Sequence, residues 1–239
     1  MSMQFPSQIF KSDQRGCEET SAYKCLSTFN FKKYQNEYRE SFGQLKFLND
    51  ESLSPNHSIT YTHEEDVQII LLPILGALNY SDSIFKDELI RSEQIRFFEK
   101  RKGCSYVFNN PYENEWVNYL HIGFKKNHSL PKQRSLVHDI EFDKLNTLFP
   151  LGFNKIVHNQ SAGHIGIYQS GSKENYVLTK TENGVFIYVI NGAVDVEGRL
   201  LERRDGLSLW ETRKIEFEAL TDNAIVILLE IDLKNINNN

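Results

Sequence analysis

Apolar residues along this chain recur mostly at every second position or in short unbroken runs, and rarely at helical spacing. The C-terminal third is the clearest. YVLT (176–179) and VFIYVI (185–190) are rich in β-branched and aromatic residues, as strands prefer. VFIYVI meets Asn191-Gly192, a dipeptide suited to a type I′ hairpin, and AVDV follows with strand alternation. Glu197-Gly198 and Asp205-Gly206 punctuate the next segments. KIEFEAL alternates Ile215, Phe217 and Ala219 against charged neighbours, which predicts one buried and one wet face. NAIVILLEIDL reads as a fully buried strand, with Val185, Ile187 and Val189 or their alternates facing the interior. The first half repeats the rhythm in GQLKFLND, VQIILLPILGALNY, ELIRSEQIRFF and WVNYLHIGF, and Pro73 marks an edge or a bulge because it removes a ladder donor.

Between the halves, residues 127–146 are polar and weakly patterned and read as a connection with room for one short helix. Many short strands, twice over, predict an all-β chain of two sandwiches or jelly-roll barrels. The boundaries expected are 1–126 for the first barrel, 127–146 for the connection and 147–239 for the second.

Composition narrows the function. With 239 residues, 40% hydrophobic and 25% charged, the chain can bury a large core. A net charge of −5 with scattered Lys and Arg argues against a nucleic-acid partner. No apolar run reaches membrane-spanning length and the first residues lack a leader pattern, so a cytoplasmic protein without membrane partners is expected. Cys17, Cys25 and Cys104 are an odd set without metal spacing, as in a reducing compartment.

Several segments, in colinear order from about Tyr23 to Leu233, resemble the pirin family, the two-domain cupins that include bacterial quercetinases. TFNF (28–31) is similar to an early family element, and FGQLKFLNDESLSPN (42–56) to the segment after it. ILGALNYSDS resembles the family's metal-proximal hairpin and ELIRSEQIRFFEKRKG its next strand pair. NGAVDVEGRLLERRDGLSLW resembles a pattern of the second barrel. The resemblance implies an all-β bicupin, two jelly-roll barrels of the RmlC-like cupin fold in one chain. It implies a metal in the first barrel, iron or nickel, held by an H-x-H pair and an H-x-E pair. Spacing of i, i+2 is needed because alternate strand residues face the same cavity.

Carried over without a gap from Gly76-Ala77-Leu78, the first pair falls on Thr62 and Glu64. Anchored on Gly103, the second falls on Tyr106 and Phe108. No imidazole remains at these four positions. His63 lies between the first two and is expected exposed, kept charged by Glu65 and Asp66. A one-residue slip would turn Tyr61 and His63 inward, at the cost of flipping every neighbour. The implied reading is a pirin-like protein that has lost its metal centre and quercetinase-type dioxygenase activity. It would act through a small-molecule ligand or a protein partner, with no cofactor.

Two enzymatic readings stay open. One is an atypical oxygenase holding iron, nickel or zinc with Glu64, Tyr106 and His121. The other is a metal-free isomerase or lyase with Glu64 as general base. Against them stand Glu64 as a solvated strand carboxylate, or one hydrogen-bonded to Thr62 and Tyr106 in a sealed barrel, and Phe108 as a plug in the vacated volume. Cys104, near the presumed cavity mouth, is either a buried filler or an oxidisable thiol.

Overall fold

The computed structural model describes residues 5–125, 135–140, 142, 144–152 and 162–233. Apart from a 3-10 turn at Ser12–Gln14, every regular element among them is a strand. The first seven are β1 (Ser7–Phe10), β2 (Gly16–Glu19), β3 (Tyr23–Ser27), β4 (Leu45–Leu53), β5 (Ser58–Thr62), β6 (Val67–Leu75) and β7 (Ala77–Ser81). Next come β8 (Glu88–Arg91), β9 (Gln94–Lys100), β10 (Ser105–Asn109), β11 (Val117–Lys125) and β12 (Ser135–Asp139). Then follow β13 (Phe149–Pro150), β14 (Ala162–Tyr168), β15 (Lys173–Val177), β16 (Asn183–Asn191) and β17 (Val194–Val196). The last are β18 (Arg199–Leu201), β19 (Gly206–Leu209), β20 (Lys214–Ala219) and β21 (Ala224–Asp232). No helix among the described residues is long and apolar enough to cross a membrane.

The chain divides into two compact units, at boundaries other than those expected. The N-terminal unit holds residues 16–41 and 45–140. The C-terminal unit takes the rest, including residues up to 15 and Phe42–Gln44. Two segments account for the difference. β1 pairs antiparallel with β19, Ser7 opposite Leu209, so the start of the chain completes the second sheet system. β12, expected in the connection, pairs with β9 from Ser135↔Phe98 to Asp139↔Gln94. Neither is long enough for its alternation to stand out from a polar loop. Much of the remaining connection, and the NINNN tail, lie outside the described residues.

Each unit is a pair of antiparallel sheets around an apolar core. In the N-terminal unit these run β12-β9-β6-β11-β4-β3-β2 and β5-β10-β7-β8. Residues from both sheets meet in one cluster that includes Leu53, Ile69, Leu71, Leu78 and Ile90. In the C-terminal unit the orders are β1-β19-β16-β21-β14-β13 and β15-β20-β17-β18. Val185, Ile187 and Val189 face its core beside Ile215, Phe217 and Ala219, as the alternation predicts.

Asn191-Gly192 does not close a hairpin. β16 and β17 belong to different sheets, and only Gly192 of the pair has a positive φ, +79°. The two-residue turn with both central residues left-handed lies one step on, between the paired strands β17 and β18. There Glu197 has φ +51° and Gly198 φ +74°, the geometry a type I′ hairpin requires.

Candidate functional site

The chemistry in the N-terminal unit gathers where β4, β5, β10 and β11 turn side chains into the same interior. β5 and β10 pair antiparallel, Tyr61 opposite Tyr106 and Ile59 opposite Phe108, so these side chains share one face. Tyr61, Tyr106 and Phe108 are buried, whereas Thr62 and Glu64 are exposed. Thr62 Oγ1 bonds Ser105 Oγ at 2.7 Å on the outer face. The inward residues are therefore Tyr61 and His63, and the placement of Thr62 and Glu64 in the cavity is corrected.

Two interruptions explain the shift in parity. β6 carries a bulge, for Asn118 opposes Leu75 and Tyr119 opposes Pro73, leaving Ile74 as the extra residue. Residues 63–66 then form a turn rather than strand, so alternation counted back from Gly76 does not carry through. His63 stays inward because its carbonyl accepts from Gly103 N at 2.9 Å, which extends the β5–β10 pairing by one step. Its ring stacks on Phe47, centroids 5.6 Å apart at 7°. Cys104 closes the turn that begins at Arg101 and is exposed, so it is not a filler.

Buried polar groups join these residues in a chain. His63 Nε2 and His121 Nε2 each lie 2.8 Å from Tyr106 Oη. His121 Nδ1 lies 3.1 Å from Glu51 Oε1. Glu51 also receives the hydroxyl of Tyr61 and Asn49 Nδ2, the latter at 3.2 Å. Tyr119 Oη is 3.3 Å from Tyr61 Oη. Glu51, Tyr106, Tyr119 and His121 are fully buried.

Donor roles follow from the ends of the chain. Burial alone would raise the Glu51 carboxyl, but the His121 imidazole and the Tyr61 and Tyr119 phenols outweigh it and hold the group below its usual value. An ionised carboxylate only accepts, so His121 Nδ1 donates to it. Tyr106 Oη stands between His63 Nε2 and His121 Nε2, and its one hydrogen can go to only one of them. Burial, reinforced by the Glu51 charge, raises the Tyr106 and Tyr61 phenols far above their ordinary value, so both stay neutral donors. Burial, with the charges of His121, Lys46 and Lys32, pushes His63 down to about 3. His63 is thus neutral near pH 7, not the charged surface residue its acidic neighbours suggested.

The alternation brought Tyr106 and His121 together and missed Glu51, the carboxylate that stands beside them where Glu64 was expected. The signal was present in β4, where Phe47, Asn49, Glu51 and Leu53 share one face and are all buried. Phe108 fills the space beside the chain, its ring centroid 5.3–5.5 Å from those of Tyr61, Tyr106, Tyr119 and His121.

Residues 156–231 match the family model of the quercetinase C-terminal cupin domain. The chain is 20% identical over 228 residues to a quercetin 2,3-dioxygenase of Escherichia coli, covering 91% of this chain and 95% of that one. It is 23% identical over 214 residues to a putative quercetin 2,3-dioxygenase of Zymomonas mobilis, covering 84% and 88%. The fold matches that of YhhW from Escherichia coli with a TM-score of 0.85 at 19% identity, over 95% of this chain and 97% of that one. A second structure, bacterial pirin YhhW in complex with nickel(II), matches with a TM-score of 0.84 at 18% identity. The chain has the bicupin fold of these pirin-like proteins.

The metal that the pirin resemblance implies can be tested against the donors present. The inward positions on β5 and β10 offer one imidazole, two phenols and a phenyl ring, not three imidazoles and a carboxylate. Among the described residues no group of three or more His, Cys, Asp or Glu is placed to hold a metal ion. His63 Nε2 and His121 Nε2 converge on a phenol oxygen, and the Glu51 carboxylate is turned to the far nitrogen of His121. In this pirin-like chain the donor set does not fit the implied centre.

Proposed function

We propose that this protein is a pirin-like cupin whose N-terminal barrel works without the family's metal centre, as a binding or regulatory protein rather than a dioxygenase. One observation carries the reading. The point on which both imidazoles converge is held by the Tyr106 hydroxyl, inside a barrel packed with rings. Catalytic transition-metal sites depend on several free nitrogen or carboxylate donors and an open position for substrate. Here the donors are used on one another, and Phe108 fills the adjoining volume.

The test is elemental analysis of protein purified without chelator or affinity-tag metal, followed by assay of quercetin turnover with added nickel or iron. The reading expects substoichiometric metal and no turnover. Stoichiometric metal that disappears in both His63→Ala and His121→Ala would overturn it in favour of an atypical metal-dependent oxygenase.

A second reading is favoured by the hydrogen-bond chain itself. Carboxylate, imidazole and phenol stand in the order of an acid–base triad, Glu51–His121–Tyr106, as a metal-free isomerase or lyase would use. It needs a substrate to reach Tyr106, which is fully buried. Glu64, exposed beyond the end of β5, has no part in it.

A further inference from the structure

We propose that the N-terminal unit carries a site for a small organic ammonium ion at the rim of its barrel, and that the chain's own Lys32 occupies it in the resting state. Three rings form the site: Tyr23 on β3, Tyr61 on β5, and Phe31 in the segment after β3. Lys32 Nζ lies 5.6 Å from the Tyr23 centroid, 5.4 Å from Phe31 and 5.0 Å from Tyr61. A cation within about 6 Å of a ring centroid is drawn to the negative face of the π-system. Here three such faces converge on one nitrogen.

The surroundings favour positive charge and exclude water. Tyr23 and Tyr61 are buried and Phe31 is half-buried, while Lys32 itself is exposed, which places the cage at the surface of the unit. Behind Tyr61 stands the Glu51 carboxylate, which receives the Tyr61 hydroxyl. A phenol bonded to an anion presents a more electron-rich ring, and the carboxylate adds its own field to the cage.

Phe31 N bonds Tyr34 O at 3.1 Å and Tyr34 N bonds Phe31 O at 2.9 Å, closing a two-residue turn at Lys32-Lys33. Lys32 has φ +49°, a left-handed conformation that glycine adopts freely and that other residues adopt at a cost. Tyr34 pins the turn to β2, for a Cβ added at Gly16 would stand 2.2 Å from the Tyr34 ring. A lysine held in this backbone and folded over three rings is a tethered ligand. A free ammonium compound must displace it against an effective concentration on the order of millimolar.

The cage meets the buried polar chain at Tyr61, but its test reads ammonium binding and not metal content, so the two readings fail separately. Choline chloride is titrated by calorimetry, at fixed ionic strength, into wild type, Lys32→Gly and Lys32→Gly/Phe31→Leu. Lys32→Gly removes the ammonium and suits the left-handed φ; Lys32→Gln serves the same arm if the glycine variant does not fold. The expected result is about 10-fold or more tighter choline binding in the single variant than in wild type. That gain is expected to disappear in the double variant. The neutral isostere 3,3-dimethyl-1-butanol is expected to show no gain. Equal affinity in wild type and Lys32→Gly, no binding to either, or an equal gain for the neutral isostere would each overturn the proposal.

Discussion

The Tyr106 hydroxyl is shared by two imidazoles, and its removal exposes what each residue of the chain contributes. Tyr106→Phe keeps the ring and leaves two nitrogens, at His63 and His121, without their partner. Leaving a buried polar group unpaired costs about 1–3 kcal/mol, so a loss of about 2–3 kcal/mol is expected in urea denaturation. A loss of only a few tenths would mean that water replaces the phenol. His63 sets a second expectation. Its folded value of about 3 lies below the ordinary 6.5, so the unfolded chain takes up the proton first as pH falls. The stabilising contribution is whole above pH 6.5 and is lost as pH drops toward about 3, at about 1.4 kcal/mol per pH unit. The groups facing the imidazole are Tyr106, His121, Lys46, Lys32 and Glu51. Urea midpoints measured between about pH 6.5 and 4 are expected to fall less steeply in His63→Gln than in wild type. Glu64→Gln, at an exposed site, is expected to leave both stability and slope unchanged. An identical slope in His63→Gln would mean that the buried imidazole titrates normally.

Among the elements, β9 shows how far strand alternation can be read and where it misleads. Arg96, Phe98 and Lys100 share a face, and all three are buried. Two of them are the charged residues that a surface pattern would place in water. Arg96 lies 3.8 Å above the Tyr80 ring and pairs with Glu88, while Lys100 pairs with Asp82, which also accepts from Tyr80 Oη at 2.6 Å. Removing one partner of a buried pair leaves a stranded charge, at about 3–5 kcal/mol. Lys100→Ala is expected to cost that much, against at most about 1 kcal/mol for Lys46→Ala, whose pair with Glu65 is partly exposed. Comparable losses in the two variants would sink the distinction. The same strand physics explains what was legible. Within an unbroken strand parity held, as for Tyr106 with Phe108 on β10 and for Ile215, Phe217 and Ala219 on β20. Across the Ile74 bulge and the turn after Thr62 it did not, which misplaced His63 and Glu64. Glu51 escaped because a carboxylate in a strand reads as solvated unless its neighbours on the same face are weighed.

On the scale of the whole molecule, the all-β architecture followed from many short alternating runs, whereas the division of the chain did not. β1 has four residues and only Phe10 of them is buried, so no periodicity marks it as part of a sheet. Its place is visible only through its partner β19 and through Asp205, which is fully buried and receives Ser12 N at 2.7 Å and Lys11 Nζ. Removal of residues up to Arg15 is expected to strip hydrogen-exchange protection from Gly206–Leu209. The amides of the Tyr61–Tyr106 pairing should keep theirs. Undiminished protection at Gly206–Leu209 would show that the second unit closes without β1. The pairing also carries a schedule. β1 is made about 200 residues before its partner β19. At roughly 5–20 residues per second, that is a wait of about ten to forty seconds. During that time the first barrel can form while β1 stays single, an unpaired edge open to a nascent-chain chaperone.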